Sequence, residues 1–319
     1  MNNKIKTIHI SIGDPSGIGP EIVVKALKSL KEINSIFVIH SNKKVLEKSS
    51  LQSLDFIKKD YSSEITEAGI YIKEIDSPID FELGKISKIA GKIAGDSITS
   101  ACKSCKKGDF LITAPINKEA LNLAGFHYQG HTEMLEDLTK SKEVFMSFFG
   151  VINTLLLTTH IPLKDVITRI ASKDFVYNKI LNSYEYIKQI LGEDVRAVIA
   201  GLNPHAGENG LMGDEEFVII DALKRLESEH NIKIDGPLPS DTLFATYLTG
   251  KYNFVYSLYH DQALIPVKTF FMDKSLNMTL GLPFIRVSPD HGTAFDIAGT
   301  DCADYKPMLF CIDFINKLS

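Results

Sequence analysis

The stretch KTIHISIGDPSGIGPEIVVKALKSL, residues 6–30, contains the unit from which the fold is read. KTIHISI is β-rich and short enough for a strand, and EIVVKALKSL has the spacing of an amphipathic helix. Between them GDPSGIGPEI carries the glycines and prolines that turn the chain. The alternation returns in SIFVIHS, in DFLITAP followed by NKEALNLAG, in TLLLTT, in RAVIAGL followed by EEFVIIDALKRLESE, and in NFVYSLY. Strands alternating with helical stretches predict an α/β protein with largely parallel strands, because a parallel neighbour is reached only through a crossover.

A chain of 319 residues suits one large or two medium domains, and 44% hydrophobic residues supply a sizeable core. Thirty-five Lys and Arg against 40 Asp and Glu give a net charge of -5. No basic block tracks a phosphate backbone, so no nucleic-acid partner is expected. The start, MNNKIKTIHISIG, has neither a long apolar core nor a small-residue cleavage site, which predicts a cytoplasmic protein. The most apolar window, VFMSFFGVINTLLLTTHIPL (144–163), is broken by Gly150, Asn153 and His160. It predicts two buried strands joined by a turn, and no membrane span. Cys102 and Cys105 form a C-x-x-C, but a zinc site of that kind needs a second pair, so these two, with Cys302 and Cys311, are expected as reduced thiols. In GKISKIAGKIAGDSITSACKSC (84–105), Ile86, Ile89, Ala90, Ile93, Ala94, Ile98 and Ala101 fall at helical spacing, and the small residues predict close packing.

In open α/β sheets ligands bind beyond the carboxyl ends of the strands, where loops converge on a rigid base. TLLLTT runs into His160, RAVIAGL into Asn203-Pro204-His205, and NFVYSLY into His260-Asp261. Three imidazoles with an open position suit a divalent ion such as zinc or cobalt and leave room for substrate oxygens. Asp261, beside His260, and Asp241, in GPLPSDTLF, can orient those imidazoles or complete the shell. His131 and Thr132 in GHTEML, Lys268 in YHDQALIPVK, Asn277, and Arg286 in GLPFIRVSPDHG offer ligands to a small anion, a phosphate or carboxylate. The glycines of GDPSGIGPEI let a backbone approach a ligand at a helix start, although the stretch matches neither G-x-G-x-x-G nor a Walker A motif. TAPINKEAL (113–121) sets Asn117 and Lys118 at another strand-to-helix junction.

Taken in order, GDPSGIGPEI, TAPINKEAL, GHTEML, GLNPHAGENG, GPLPSDTLF, YHDQALIPVK and SPDHGTAFDIAG resemble the 4-hydroxythreonine-4-phosphate dehydrogenases of vitamin B6 biosynthesis, from about residue 7 to residue 300. DHGTAFDIAG (290–299) also resembles the isopropylmalate and isocitrate dehydrogenases. The resemblance implies two α/β domains with the active-site cleft between them, here residues 1–128 with 271–319, and 129–270. It implies that His160, His205 and His260 bind a divalent metal (zinc, magnesium or cobalt), with His260 supplied across a homodimer interface. It implies further that His131, Thr132, Lys268, Asn277 and Arg286 hold a small phosphorylated amino acid. His291, Gly292, Thr293, Ala294 and Asp296 would bind the adenosine part of NAD or NADP. Asp241, Asp261 and Lys118, in that order, are the candidates for the general base. A paralogous dehydrogenase of threonate 4-phosphate or erythronate 4-phosphate would use the same sites. A metal-dependent hydrolase would use the histidines and acids but not DHGTAFDIAG. The tail after Gly299 carries no motif of the family.

Overall fold

The computed structural model describes residues 5–172 and 174–318. The opening stretch forms the expected unit, β1 (Thr7–Ser11) running into α1 (Gly19–Lys28). There follow β2 (Ile36–Ser41), α2 (Lys43–Ser50), β3 (Lys59–Asp60), β4 (Gly69–Glu74), α3 (Lys88–Ser104), β5 (Phe110–Thr113), α4 (Lys118–Leu123) and α5 (His131–Thr139). The chain continues through β6 (Phe145–Gly150), β7 (Thr154–Leu156), α6 (Leu163–Ile170), α7 (Phe175–Leu191), β8 (Ala197–Ala200), α8 (Glu215–His230), β9 (Ile234–Leu238), α9 (Ser240–Leu248), β10 (Phe254–Ser257) and α10 (His260–Phe271). It closes with β11 (Ser275–Leu280), β12 (Ile285–Pro289) and α11 (Lys306–Lys317).

Two compact units result, Met1–Val144 with Leu276–Leu318, and Phe145–Ser275. The divisions expected at 128/129 and 270/271 therefore move, and α5 with His131 and Thr132 joins the terminal segments. The reason is packing: Met134 and Leu135 of α5 are buried in one cluster with Ile98 of α3, Leu111 of β5, Leu282 and Phe284. Each such side chain contributes about 1.5–3 kcal/mol on burial.

In the first unit the strands run β3-β4-β2-β1-β5-β12-β11. All pairs are parallel except β11 against β12. Ile8, Ile10, Val38, Leu111 and Ile112 are fully buried, as the near-continuous apolar runs of a sheet covered on both faces require. α3 begins at Lys88 behind its N-cap Ser87, so Ile86 lies outside the helix and is exposed, unlike the rest of the expected stripe. The close packing expected of its small residues is present: a Cβ on Gly91 would lie 1.8 Å from the Ala120 carbonyl oxygen of α4. The tail without a motif forms α11, which buries Met308, Cys311, Ile312 and Ile315.

In the second unit the order is β6-β7-β10-β8-β9. The run β7-β10-β8-β9 is parallel, and β6 is antiparallel to β7. β6 and β7 are the two buried strands expected from the apolar window, with Ser147 opposite Leu155 and Phe148 opposite Thr154. Among the described residues no helix is long and apolar enough to cross a membrane.

Candidate active site

In the first unit, the ends of β5 and β12 hold a buried cation. Arg286 is 4% exposed. Its Nε and Nη2 donate to the Thr113 hydroxyl at 3.0 and 2.6 Å, and its Nη1 donates to Asn277 Oδ1 and to the Thr279 hydroxyl, both at 3.1 Å. All these acceptors are neutral, and burial pushes the guanidinium down to about 10, which still leaves it charged at neutral pH. Among the described residues Arg286 makes no ion pair, although the charge of Glu133 acts on it, and a buried charge without a directly bonded opposite partner costs several kcal/mol. An anionic ligand would supply that partner.

His131 stands near enough to feel this charge. Burial first, and then Arg286, hold its imidazole well below the usual histidine range, against a hydrogen bond to the Ala114 backbone. Its Nε2 is shut off from solvent and has no partner among the described residues. Thr132 follows it in the first turn of α5, half-buried. Of the expected anion ligands, the structure thus joins Asn277 to Arg286 directly and sets His131 beside them, with Thr132 next in the chain. Lys268 belongs to the second unit, exposed near the end of α10.

The loop after β1 packs closely on its own protein. Its glycines are taken up by protein contacts: a Cβ would lie 2.1 Å from the Pro115 carbonyl at Gly13, 2.6 Å from the Thr293 carbonyl at Gly17 and 2.2 Å from the Ile12 carbonyl at Gly19. Ile18 N–H donates to the Thr293 carbonyl at 2.9 Å, which fastens the loop to the 291–296 segment. There Ala294 takes a left-handed φ of 42°. His291 has a solvent-shielded Nε2 without a partner among the described residues, Gly292 and Asp296 are exposed, and Thr293 is half-buried.

The sequence reading passed over Asp14 in the same loop. It is completely buried, and one carboxylate oxygen accepts the Ser16 N–H at 2.8 Å while Oδ2 has no partner among the described residues. Burial raises it to about 6, opposed by that N–H. The Ser16 hydroxyl is likewise buried, with no partner among the described residues. A desolvated carboxyl raised in this way is one mark of a functional site. The signal in the sequence was only an acid inside a glycine-rich turn.

In the second unit, the three expected histidines follow β7, β8 and β10. These are parallel neighbours with β10 in the middle, so all three histidines issue from one sheet edge. The His160 and His260 rings have centroids 5.7 Å apart. Two imidazoles sharing one ion at about 2.1 Å in tetrahedral geometry hold their centroids roughly 5 Å apart. His260 Nδ1 pairs with Asp261 Oδ1 at 2.7 Å, which leaves Nε2 as the free nitrogen, the usual arrangement behind a metal-binding imidazole. This donor pair fits a divalent ion. It forms within one chain, so a second subunit is not needed to bring His260 to His160.

His205 lies apart from the pair. Its side chain is largely exposed, with Nδ1 3.7 Å from Glu208 Oε2, and among the described residues no three His, Cys, Asp or Glu side chains gather closely enough to hold an ion. It opens a left-handed helical turn, with φ of 54, 52, 75, 45 and 56° from His205 to Asn209. Such a turn costs roughly 1–2 kcal/mol for each residue other than glycine, so something must hold it. The candidate bases Asp241 and Asp261 line one depression of about 460 Å³ with Phe244, Tyr259, Ile265 and Phe270. Lys118, in the first unit, is exposed at the start of α4, which the Asn117 side chain caps through the Ala120 N–H at 2.9 Å.

Comparison with known proteins bears on this arrangement. A sequence profile of the family described as "Pyridoxal phosphate biosynthetic protein PdxA" matches residues 32–315. A 4-hydroxythreonine-4-phosphate dehydrogenase of Sulfurihydrogenibium sp. is 41% identical over 304 residues, 93% of each chain. A relative from Clostridium botulinum that carries the provisional name D-threonate 4-phosphate dehydrogenase is 36% identical over 335 residues, covering 100% of this chain and 98% of its own. Among solved structures, 4-hydroxythreonine-4-phosphate dehydrogenase from Klebsiella pneumoniae superposes with a TM-score of 0.84 at 33% identity, over 98% of this chain and 99% of that one. With the mixed α/β fold shared over nearly the whole length, the chain belongs to the PdxA family of pyridoxal phosphate biosynthetic proteins, a family of oxidoreductases.

Proposed function

We propose that this chain is a cytoplasmic, homodimeric 4-hydroxythreonine-4-phosphate dehydrogenase that depends on NAD or NADP and on a divalent metal. Its reaction would turn 4-phosphonooxy-L-threonine into 2-amino-3-oxo-4-(phosphonooxy)butanoate. That product carries a ketone β to a carboxylate and loses carbon dioxide to give 3-amino-2-oxopropyl phosphate, a precursor of pyridoxal phosphate. The observation that carries the reading is Arg286, a buried cation whose hydrogen-bond partners among the described residues are all neutral, near His131, whose Nε2 has no partner among them. Arg286, His131, Thr132, Asn277 and Lys268 would hold the phosphorylated substrate.

When bound, the metal (zinc, magnesium or cobalt) supplies Lewis acidity toward the C3 hydroxyl, and the nicotinamide supplies the hydride acceptor. His160 and His260 would hold the ion, with Asp261 fixing the tautomer of His260, and His205, which stands apart from them within one chain, would complete the shell from the second copy of the homodimer. Asp241, Asp261 and then Lys118 remain the candidates to take the hydroxyl proton, because a base must come within hydrogen-bond reach of it. The segment His291, Gly292, Thr293, Ala294 and Asp296 would receive the adenosine end of the cofactor. The exposed apolar side chains Leu248, Ile265 and Phe270, near Asp241 and Asp261, support a face that a second copy covers.

The test uses metal-depleted protein with 4-hydroxythreonine 4-phosphate, NAD or NADP separately, and zinc, magnesium or cobalt added back, followed by absorbance of the reduced cofactor. Turnover restored by a metal is expected; no cofactor reduction under any combination overturns the reading. A second reading, oxidation of threonate 4-phosphate or erythronate 4-phosphate, is favoured by the Clostridium botulinum relative. It predicts a higher kcat/KM on those hydroxy acids than on the amino acid in the same assay.

A further inference from the structure

We infer that Glu216 is a positioning residue: it clamps the left-handed turn 205–209 and so sets where His205 presents its imidazole. Glu216 is the second residue of α8 and is 3% exposed. Its Oε1 accepts the Leu202 N–H at 2.9 Å and the Asn203 N–H at 2.7 Å, and its Oε2 accepts Asn203 Nδ2 at 2.9 Å. Every one of these donors comes from the two residues at the entry to the turn. A buried carboxylate is expensive unless several donors satisfy it, and here the loop provides them while the N-terminus of α8 adds its favourable field.

The clamp also reaches the middle of the turn. A Cβ on Gly207 would lie 2.6 Å from Glu216 Oε2, so the backbone presses directly against the carboxylate. Asn203 is held a second time by Glu215 Oε2 at 2.7 Å, and its carbonyl takes the Ala206 N–H at 3.0 Å. On the far side the Gly207 carbonyl takes the Met212 N–H at 3.1 Å. Four of the five left-handed residues carry side chains that disfavour this conformation, and without Glu216 the entry amides lose their acceptors. The turn would then relax toward right-handed or extended backbone, and His205 would leave its place at the sheet edge. The carboxylate touches no reacting atom, and its role runs through His205.

The inference rests on the reading that His205 ligates the divalent ion, together with His160 and His260 of a second copy. Its test is cobalt(II) titration of the metal-depleted full chain, read by visible absorption, together with amide hydrogen exchange over residues 201–210, for the wild type, Glu216→Gln, Glu216→Ala, His205→Ala and the Glu216→Ala/His205→Ala double variant. In Glu216→Ala, exchange at Leu202, Asn203 and the turn should rise at least tenfold and cobalt affinity should fall at least tenfold. Glu216→Gln, which keeps one acceptor oxygen but turns a donor toward Asn203, should fall between. The double variant should bind cobalt no more weakly than His205→Ala alone, since both changes remove one interaction. Wild-type exchange and affinity in Glu216→Ala, or losses that add in the double variant, overturn the inference. If Glu216→Ala does not fold, wild-type values in Glu216→Gln do the same. A His205→Ala protein that binds cobalt like the wild type overturns instead the metal reading beneath it, while the exchange data still decide whether Glu216 holds the turn.

Discussion

Asp14 shows what one side chain can reveal at the residue scale. Its carboxyl is raised to about 6 from an ordinary 3.8 because it is buried with a single N–H for company. The folded state therefore binds this proton more tightly than the unfolded state. Its contribution is fully present below about pH 3.8 and is lost as pH rises through about 6, a swing of about 3 kcal/mol. Asp14→Asn should accordingly be more stable than the wild type at pH 7.5 by up to that amount and gain little near pH 4, as thermal or urea unfolding at the two pH values would show. A residue kept at such a cost in a loop fastened to the 291–296 segment is a strong candidate for ligand contact. Arg286 gives the complementary expectation. Inorganic phosphate should raise the thermal midpoint of the wild type and leave that of Arg286→Met unmoved, because ligand binding to the native state alone is what stabilises it. Equal shifts in both proteins would place the anion elsewhere.

Elements meet in two places where a small change has a large effect. At the crossing of α3 and α4, the Gly91 position faces the Ala120 carbonyl, a backbone atom that cannot swing aside. Gly91→Ala should cost at least about 1–3 kcal/mol by overpacking, read as a lowered urea midpoint. Between β1 and β2, His9 Nδ1 and His40 Nε2 are 2.9 Å apart in a fully buried pair, with Ser100 on the far nitrogen of His40 and Asp109 3.6 Å from His9 Nε2. Burial, then the charge of His9, then that of Lys73 hold His40 well below 6.5. The unfolded chain takes up this proton first, so stability is complete above about pH 6.5 and falls as pH drops below it. His40→Gln should flatten that acid limb in urea titrations at pH 7.5 and pH 5. An unchanged limb would assign the acid sensitivity to another group.

For the whole molecule, the exposed Ile265 and Phe270 on α10 lead to an expectation about assembly. Ile265→Asp should convert a dimer into a monomer by sedimentation with unchanged far-UV circular dichroism, and a monomeric wild type would remove the dimer from the proposed function. Much of the architecture was legible in advance. KTIHISIGDPSGIGPEIVVKALKSL, DFLITAP and RAVIAGL carry their periods within a few residues, and those periods follow from backbone geometry alone. The histidines at strand ends were legible for the same local reason. The domain division was not, because α5 goes with the terminal segments through Met134 and Leu135, whose partners Leu282 and Phe284 come from the far end of the chain. Nor were the roles of Asp14, Thr113 or Glu216, single polar residues that no period or spacing singles out. By itself the sequence determined the alternation of strand and helix and which chemistries stand at the strand ends. Only the tertiary structure decided that His160 and His260 are neighbours while His205 stands apart, that Arg286 rests on Thr113, 173 residues away, and that Asp14 is cut off from water. Strand order is not chain order, and the partners and the dielectric that set a side chain's chemistry come from residues remote in sequence.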